Sequence, residues 1–493
     1  MSTKFVFCIF LSIIQVFSIN SYHVAIPSGC TSHLFATLPL AKLFIEHGHE
    51  VTYVAPVDCE ERILEIGAKL YERENWNIVD DFEVQGNILE KTWATREKLW
   101  NWQIEPARKL STWLSSIQEK PDLIISHPLA LLTSTYADHH DIPFVLFHSN
   151  GFAIPSEDHV MHSRELEPYI SNDNVVHKIL AQMQWVAYVY ISTYFTSLNN
   201  INSQRAKFGL APFGSVYHIW RSYPVVTSLT SPLVEHGDSP HIHKIALFSG
   251  TKSTHSLEKE LISWITSSTI PIIYMALGTS TYLDYETIQM FISSFEEQSH
   301  FRLLWGLKKG RDVNLEIENS EKIFVKEFLP QIEVLQRQEV VGFLTHCGGG
   351  SVMEAIQNLK PMILFPQKRD QFLFGSNLHK AKVGIYMEMP LQTTLLRFRD
   401  HQKEMDNNLV KVRERMGDIG GWPELNNLVE GLIAKQSSSL IKVDDIFKPL
   451  LEFWPKVILA VAICFAIVSM YIFYKACTCM CNCCKKRIKL KHE

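Results

Sequence analysis

An excess of charge of either sign is what this chain of 493 residues most plainly lacks: 47 lysines and arginines face 52 aspartates and glutamates, for a formal net charge of -5. A protein that works by neutralising nucleic-acid phosphates needs a basic surface, so nucleic acid is excluded as the expected partner. Cysteine is nearly absent from the body of the chain, where only Cys30, Cys59 and Cys347 occur, so disulfides are not what holds the fold together. Glycine and proline, at 22 and 21 copies, are too few for a collagen-like or low-complexity chain. No Asn-x-Ser/Thr glycosylation acceptor and no internal repeat occur. What is present is apolar: 46% of the residues are hydrophobic, enough to bury sizeable cores in two or three globular units.

The two ends carry apolar segments of different kinds. Met1 to Ser21 has one cation, Lys4, then an apolar run from Phe5 to Ile14 and polar residues before Tyr22, the pattern of a secretory signal peptide over 1–21. Val457 to Tyr474 is free of charge and long enough to cross a bilayer as one helix. After it come Lys475, Lys485, Lys486, Arg487, Lys489 and Lys491 against the single acid Glu493, whereas the juxtamembrane segment 441–456 is balanced. The positive-inside bias therefore predicts a cytosolic tail over 475–493 and a single-pass type I topology with the bulk of the chain luminal. Lys489 and Lys491 resemble a dilysine retrieval signal, which predicts residence in the endoplasmic reticulum membrane. Cys477, Cys479, Cys481, Cys483 and Cys484 alternate beside the span in the manner of palmitoylation sites, without the acidic or His partners of a zinc site.

Between these ends, short apolar runs alternate with longer amphipathic ones. The first set is His23–Ile26, Phe35–His47, Val51–Ala55, Leu123–Ser126, Leu129–Ala137 and Phe144–Phe147; the second begins at Ile272–Ala276 and continues through Phe301–Trp305, Ile323–Val325, Gly342–Thr345, Val352–Ile356 and Met362–Phe365. Such alternation predicts βαβ units and parallel sheets, hence an α/β protein with two doubly wound domains, 22–250 and 251–440. Ile179 to Leu198 is uncharged yet rich in Gln, Ser, Thr and aromatics, which suits a buried helix or the wall of an apolar pocket better than a membrane contact.

The segment richest in chemistry begins at Phe328-Leu-Pro-Gln331 and runs through Val341-Gly-Phe-Leu-Thr345-His346-Cys347-Gly348-Gly349-Gly350-Ser351-Val-Met-Glu354 to Asp370-Gln371. A strand that ends in a Gly-rich turn and opens a helix points unpaired backbone N–H groups at one spot, and that spot binds phosphate. His346 and Ser351 can add hydrogen bonds to a diphosphate, Glu354 can accept from two ribose hydroxyls, and Asp370 and Gln371 can meet sugar hydroxyls.

The order and spacing of these residues over 328–371 closely resemble the signature of the UDP-glycosyltransferase family, which includes glucuronosyltransferases and plant secondary-product glycosyltransferases. The arrangement of signal peptide, two halves, late span and basic tail resembles the family's animal membrane-bound branch. The resemblance implies the glycosyltransferase B fold, two Rossmann-like domains with the active site in the cleft between them, plus one C-terminal transmembrane helix. It implies that Phe328 stacks on uracil, that Gln331 and Glu354 hold the nucleoside, and that His346, Gly348 and Ser351 hold the diphosphate. Gly278-Thr279-Ser280, after Ile272–Ala276, looks like the family's other contact to phosphate. Phe328 stands where the family usually has Trp, and Gly350 where Asn is common; both changes weaken donor binding.

In the first half, His33 stands at the position of the family's catalytic histidine, which implies a neutral imidazole that takes the proton from an acceptor hydroxyl as it attacks the anomeric carbon. The Asp that the family places after a Pro-Asp-x-x-x-Ser strand to orient that histidine is here His127, behind Pro121-Asp122-Leu-Ile-Ile-Ser126. Asp122 lies ~16 Å away along the strand, which leaves Asp138 or a water to compensate. No Asp-x-Asp pair occurs, so a metal-clamped diphosphate has no ligands and no metal or other cofactor is expected; the UDP-sugar is a co-substrate. The leading expectation is an inverting transferase that moves glucose or glucuronate from a UDP-sugar to a hydroxyl of a lipophilic small molecule. Its alternative is a catalytically weak or silent UDP-sugar- or lipophile-binding membrane protein, motivated by His127, Gly350 and Phe328. A hydrolase using Ser32 with His33 has no oxyanion-type motif behind it. Nothing in the sequence specifies an oligomeric state.

Overall fold

The computed structural model describes residues 21–29, 32–71, 104–127, 130–148, 198–214, 218–219, 222–228, 233, 241–247, 257–278, 283–307, 317–367 and 370–435. The signal peptide, nearly all of the apolar stretch 179–198, the transmembrane segment 457–474 and the basic tail expected from the sequence lie outside them. Among the described residues no helix is long and apolar enough to cross a membrane.

Two all-parallel sheets organise the chain. The first has the order β3-β2-β1-β4-β5-β6-β7, built from β1 (His23–Pro27), β2 (Glu50–Val54), β3 (Lys69–Tyr71), β4 (Leu123–Ser126), β5 (Phe144–His148), β6 (Val225–Thr227) and β7 (Ile242–Lys244). The second has the order β10-β9-β8-β11-β12-β13, from β8 (Ile272–Ala276), β9 (Arg302–Gly306), β10 (Ile323–Lys326), β11 (Val340–Thr345), β12 (Met362–Leu364) and β13 (Gly384–Tyr386). Their strands read as continuous apolar runs because both faces are covered. In β8, Ile272, Tyr274 and Ala276 enter one core while Ile273 and Met275 enter the other. In β4, Leu123 and Ile125 face one way and Ile124 the other.

The covering helices used below are α1 (Ser32–Glu46), α2 (Glu60–Glu65), α3 (Thr133–His139) and α4 (Leu198–Lys207) in the first half. The second half has α5 (Lys259–Thr266), α6 (Tyr285–Glu297), α7 (Gln331–Gln336), α8 (Gly349–Gln357), α9 (Asp370–Lys380) and α10 (Leu391–Gly417), and α11 (Trp422–Ala434) follows. Asp284 caps α6 by accepting from the Thr287 N–H at 2.8 Å. Buried Arg302 donates to the Trp264 and Ile265 carbonyls at 2.8 and 2.6 Å, satisfying the C-terminal end of α5.

The region 251–440, expected as one domain, divides at its end. Leu425 and Val429 of α11 join the core of the first sheet, and Trp422 stacks on His47 with ring centroids 4.1 Å apart. The crossing is made at Gly420 and Gly421, both at positive φ. A side chain at Gly420 would meet the Lys244 carbonyl oxygen at 2.2 Å, so only glycine lets the returning chain pass that close.

Candidate functional site

In open parallel sheets, ligands bind beyond the carboxyl ends of the strands where the strand order reverses. In the second sheet that point lies between β8 and β11, whose paired ends are Ala276 and Thr345. The next residues are the ones the sequence singles out, Gly278 after β8 and His346 to Gly348 after β11. Helix α8 starts there with Gly348 as its N-cap and no side chain capping it, which leaves its first N–H groups open to a ligand. Cys347 turns the chain at φ 64, in the left-handed region.

The imidazole of His346 lies beneath this turn and is 9% exposed. A Cβ at Gly278 would meet its Nε2 at 2.6 Å and one at Gly348 at 2.4 Å, so both glycines are needed for the ring to fit between the loops. Burial lowers its pKa to about 4, against a hydrogen bond with the Ala276 backbone, and Nδ1 has no hydrogen-bond partner among the described residues. The ring is neutral at pH 7, so any bond it gives a diphosphate is between a neutral donor and an anion.

Ahead of α8 the structure gathers Gln331, Ser351 and Glu354. Gln331 Nε2 donates to Glu354 Oε2 at 2.6 Å and to Ser351 Oγ at 3.1 Å, while the Tyr274 hydroxyl donates to Gln331 Oε1 at 3.5 Å. Burial pushes the Glu354 carboxyl up to about 7; the Gln331 bond and the charge of Arg62 pull it down, and Glu333 pushes it further up. Phe328, 61% exposed, presents its ring beside this group, with Arg62 Cζ 5.5 Å from its centroid. Gln371 is buried and its Oε1 accepts from the Gln367 N–H at 2.8 Å, an internal use beside the one with sugar hydroxyls expected for it. Asp370 opens α9; its side chain, and Thr279 and Ser280 altogether, lie outside the described residues.

The first sheet reverses between β1 and β4. His33 lies in the first turn of α1, with its side chain outside the described residues, and His127 follows β4, 4% exposed. The two residues thus flank one switch point. Asp138, the acid expected to compensate, has its Oδ2 in a buried ion pair between α3 and α4, accepting from Arg205 Nη1 at 2.6 Å and from the Tyr223 hydroxyl at 2.8 Å, while its Oδ1 has no hydrogen-bond partner among the described residues. Asp122 is bound to the His23 N–H at 2.7 Å, at the opposite end of the strand from His127.

Residues 238–389 match the family model for "UDP-glucoronosyl and UDP-glucosyl transferase". That segment, under a third of the chain, is similar to the UDP-glycosyltransferase family. It holds every donor-side residue named above, from Gly278 to Gln371, while His33 and His127 lie outside it. UDP-glycosyltransferase 74F2 of Arabidopsis thaliana is 33% identical over 172 residues, 31% of this chain and 38% of that protein. UDP-glycosyltransferase 91B1, also from Arabidopsis thaliana, is 31% identical over 121 residues, 23% of this chain and 26% of that protein. The chain thus matches well under half the length of these curated relatives. The solved glycotransferase of kitacinnamycin superposes over 84% of this chain and 99% of its own with a TM-score of 0.62 at 16% identity. That likeness gives the fold: a glycosyltransferase B type arrangement with two parallel Rossmann-type sheets. Arg62, Tyr274 and Glu333 were not legible as site residues, since an Arg in an acidic helix, a strand Tyr and a helix Glu carry no motif.

Proposed function

We propose that the chain is an inverting, metal-independent UDP-glycosyltransferase that moves glucose or glucuronate to a hydroxyl of a lipophilic small molecule. The observation that carries this reading is the Gln331–Ser351–Glu354 cluster beside the uncapped start of α8, inside the matched domain. There the carboxylate accepts ribose hydroxyls, the ring of Phe328 stacks on the base, and the open N–H groups of α8 take the diphosphate. The acceptor hydroxyl loses its proton to the neutral imidazole of His33 and its oxygen bonds to the anomeric carbon; the bond to the UDP oxygen breaks on the opposite face, and the charge that leaves is received at the helix N-terminus. His127 fixes the His33 tautomer but supplies no negative charge, so turnover is slow.

The animal membrane-bound architecture belongs to the same proposal: a luminal enzyme of the endoplasmic reticulum, anchored by 457–474 with a cytosolic basic tail. Catalytic silence is the second reading, and Gly350 favours it, because a Cβ there would meet nothing within 4 Å and the space a larger polar residue would use is left open.

Microsomes carrying the chain, given each UDP-sugar with a panel of phenols, steroids and ceramide, are expected to release UDP with one donor and to form a glycoside. His33→Ala abolishes transfer and leaves UDP affinity unchanged, whereas His127→Asp raises turnover. Intact transfer in His33→Ala overturns the general-base assignment. No glycoside with any pair while UDP still binds favours the silent reading.

A further inference from the structure

Arg62 belongs to α2, in the first half, yet two of its neighbours lie in the second. Its guanidinium Cζ is 4.3 Å from the ring centroid of Phe35 on α1 and 5.5 Å from that of Phe328, and its charge acts on Glu354. Both ring distances lie inside the ~6 Å reach of a cation–π contact, the first tightly and the second loosely. Arg62 is half-buried and makes no ion pair within 4.0 Å among the described residues, so its charge is not spent on a carboxylate of its own half. Phe328 keeps most of its ring open with Arg62 in place, which leaves a face for a base.

We propose that Arg62 is a positioning residue through which the first half engages the donor nucleoside, lying over Phe328 at the nucleoside site. The proposal rests on the nucleoside reading of that site. It adds a residue that neither the donor signature nor the matched segment contains, since Arg62 lies outside 238–389.

The charge of Arg62 acts through Glu354. Facing that carboxyl are Gln331 and Glu333 of α7, Ser351 of its own helix, Tyr274 of β8 and Arg62 of α2. Tyr274, pushed far up by burial, stays protonated throughout, and Glu333 opposes ionisation of its neighbour. Arg62 is the one cation in this set, so it favours the ionised carboxylate that can accept from two ribose hydroxyls.

The test is calorimetric titration of uridine into the full-length chain in detergent from pH 5.5 to 8; uridine has no phosphate, and its N3–H loses its proton only above that range. In the wild type, affinity rises with pH as Glu354 ionises, with a midpoint near 7. Arg62→Met keeps an apolar stem over the rings but removes the charge. It is expected to move the midpoint up by about half a pH unit, lowering affinity roughly twofold at pH 7 and little at pH 8. Arg62→Lys keeps the wild-type midpoint. A midpoint unmoved in Arg62→Met overturns the proposal while the site stands. Failure of the wild type to bind uridine or UDP at any pH overturns the nucleoside reading and the proposal with it.

Discussion

Glu354 is half-buried and accepts from Gln331, and burial pushes its carboxyl up to about 7 where an ordinary glutamate ionises near 4.5. A carboxyl raised in the folded state binds its proton more tightly there than in the unfolded chain, so the empty protein loses stability as pH rises from about 4.5 through 7. Glu354→Gln removes that loss. The variant is therefore expected to melt higher than the wild type at pH 8 and to converge with it at pH 5, measured by thermal unfolding without ligand; equal melting at both pH values contradicts the assigned burial. The motif told which residues stand together, because their types and spacing match a nucleoside and diphosphate site. It told nothing of their ionisation. That depends on what covers them, and Tyr274, Glu333 and Arg62 arrive from three separate elements. His346 is a similar case: its neutral state follows from a fit between Gly278 and Gly348 that appears only when β8 and β11 lie side by side.

Elements buried on both faces were the most legible. β4 and β8 coincide with the apolar runs Leu123–Ser126 and Ile272–Ala276 because a covered parallel strand has no reason to alternate. The short strands β3, β6, β7 and β13 were not anticipated, whereas the equally short β12 was, because it lies in the apolar run Met362–Phe365. The docking of α11 was equally hidden: an amphipathic helix states that it has an apolar face, not which sheet that face meets. Its path depends on Gly420, at φ 61, whose neighbour Ile419 accepts from the Ala246 N–H at 2.9 Å. Gly420→Ala forces both a left-handed alanine and a contact with the Lys244 carbonyl, and is expected to cost about 1–3 kcal/mol. Hydrogen exchange read by mass spectrometry should then rise in 422–434 and beside Lys244, and stay unchanged in β8, β9 and β11. Uniform exchange across the chain would contradict the local role.

For the whole molecule, the alternation of apolar runs was enough to predict two doubly wound sheets, and the strand orders follow that plan. What composition and pattern could not supply is how the halves meet, because the Phe35–Arg62–Phe328 stack joins residues whose only common property is their place after folding. The account as a whole stands on one claim, that the switch point between β8 and β11 is a uridine diphosphate site. Titration calorimetry of UDP and of uridine into the full-length protein at pH 8 tests it without reference to any acceptor. The account predicts that UDP binds more tightly than uridine, through the N–H groups at the start of α8, and that Gln331→Ala weakens both about fivefold by removing hydrogen bonds worth ~1 kcal/mol. Equal affinity for UDP and uridine, or binding of either that is indifferent to Gln331→Ala, would contradict it.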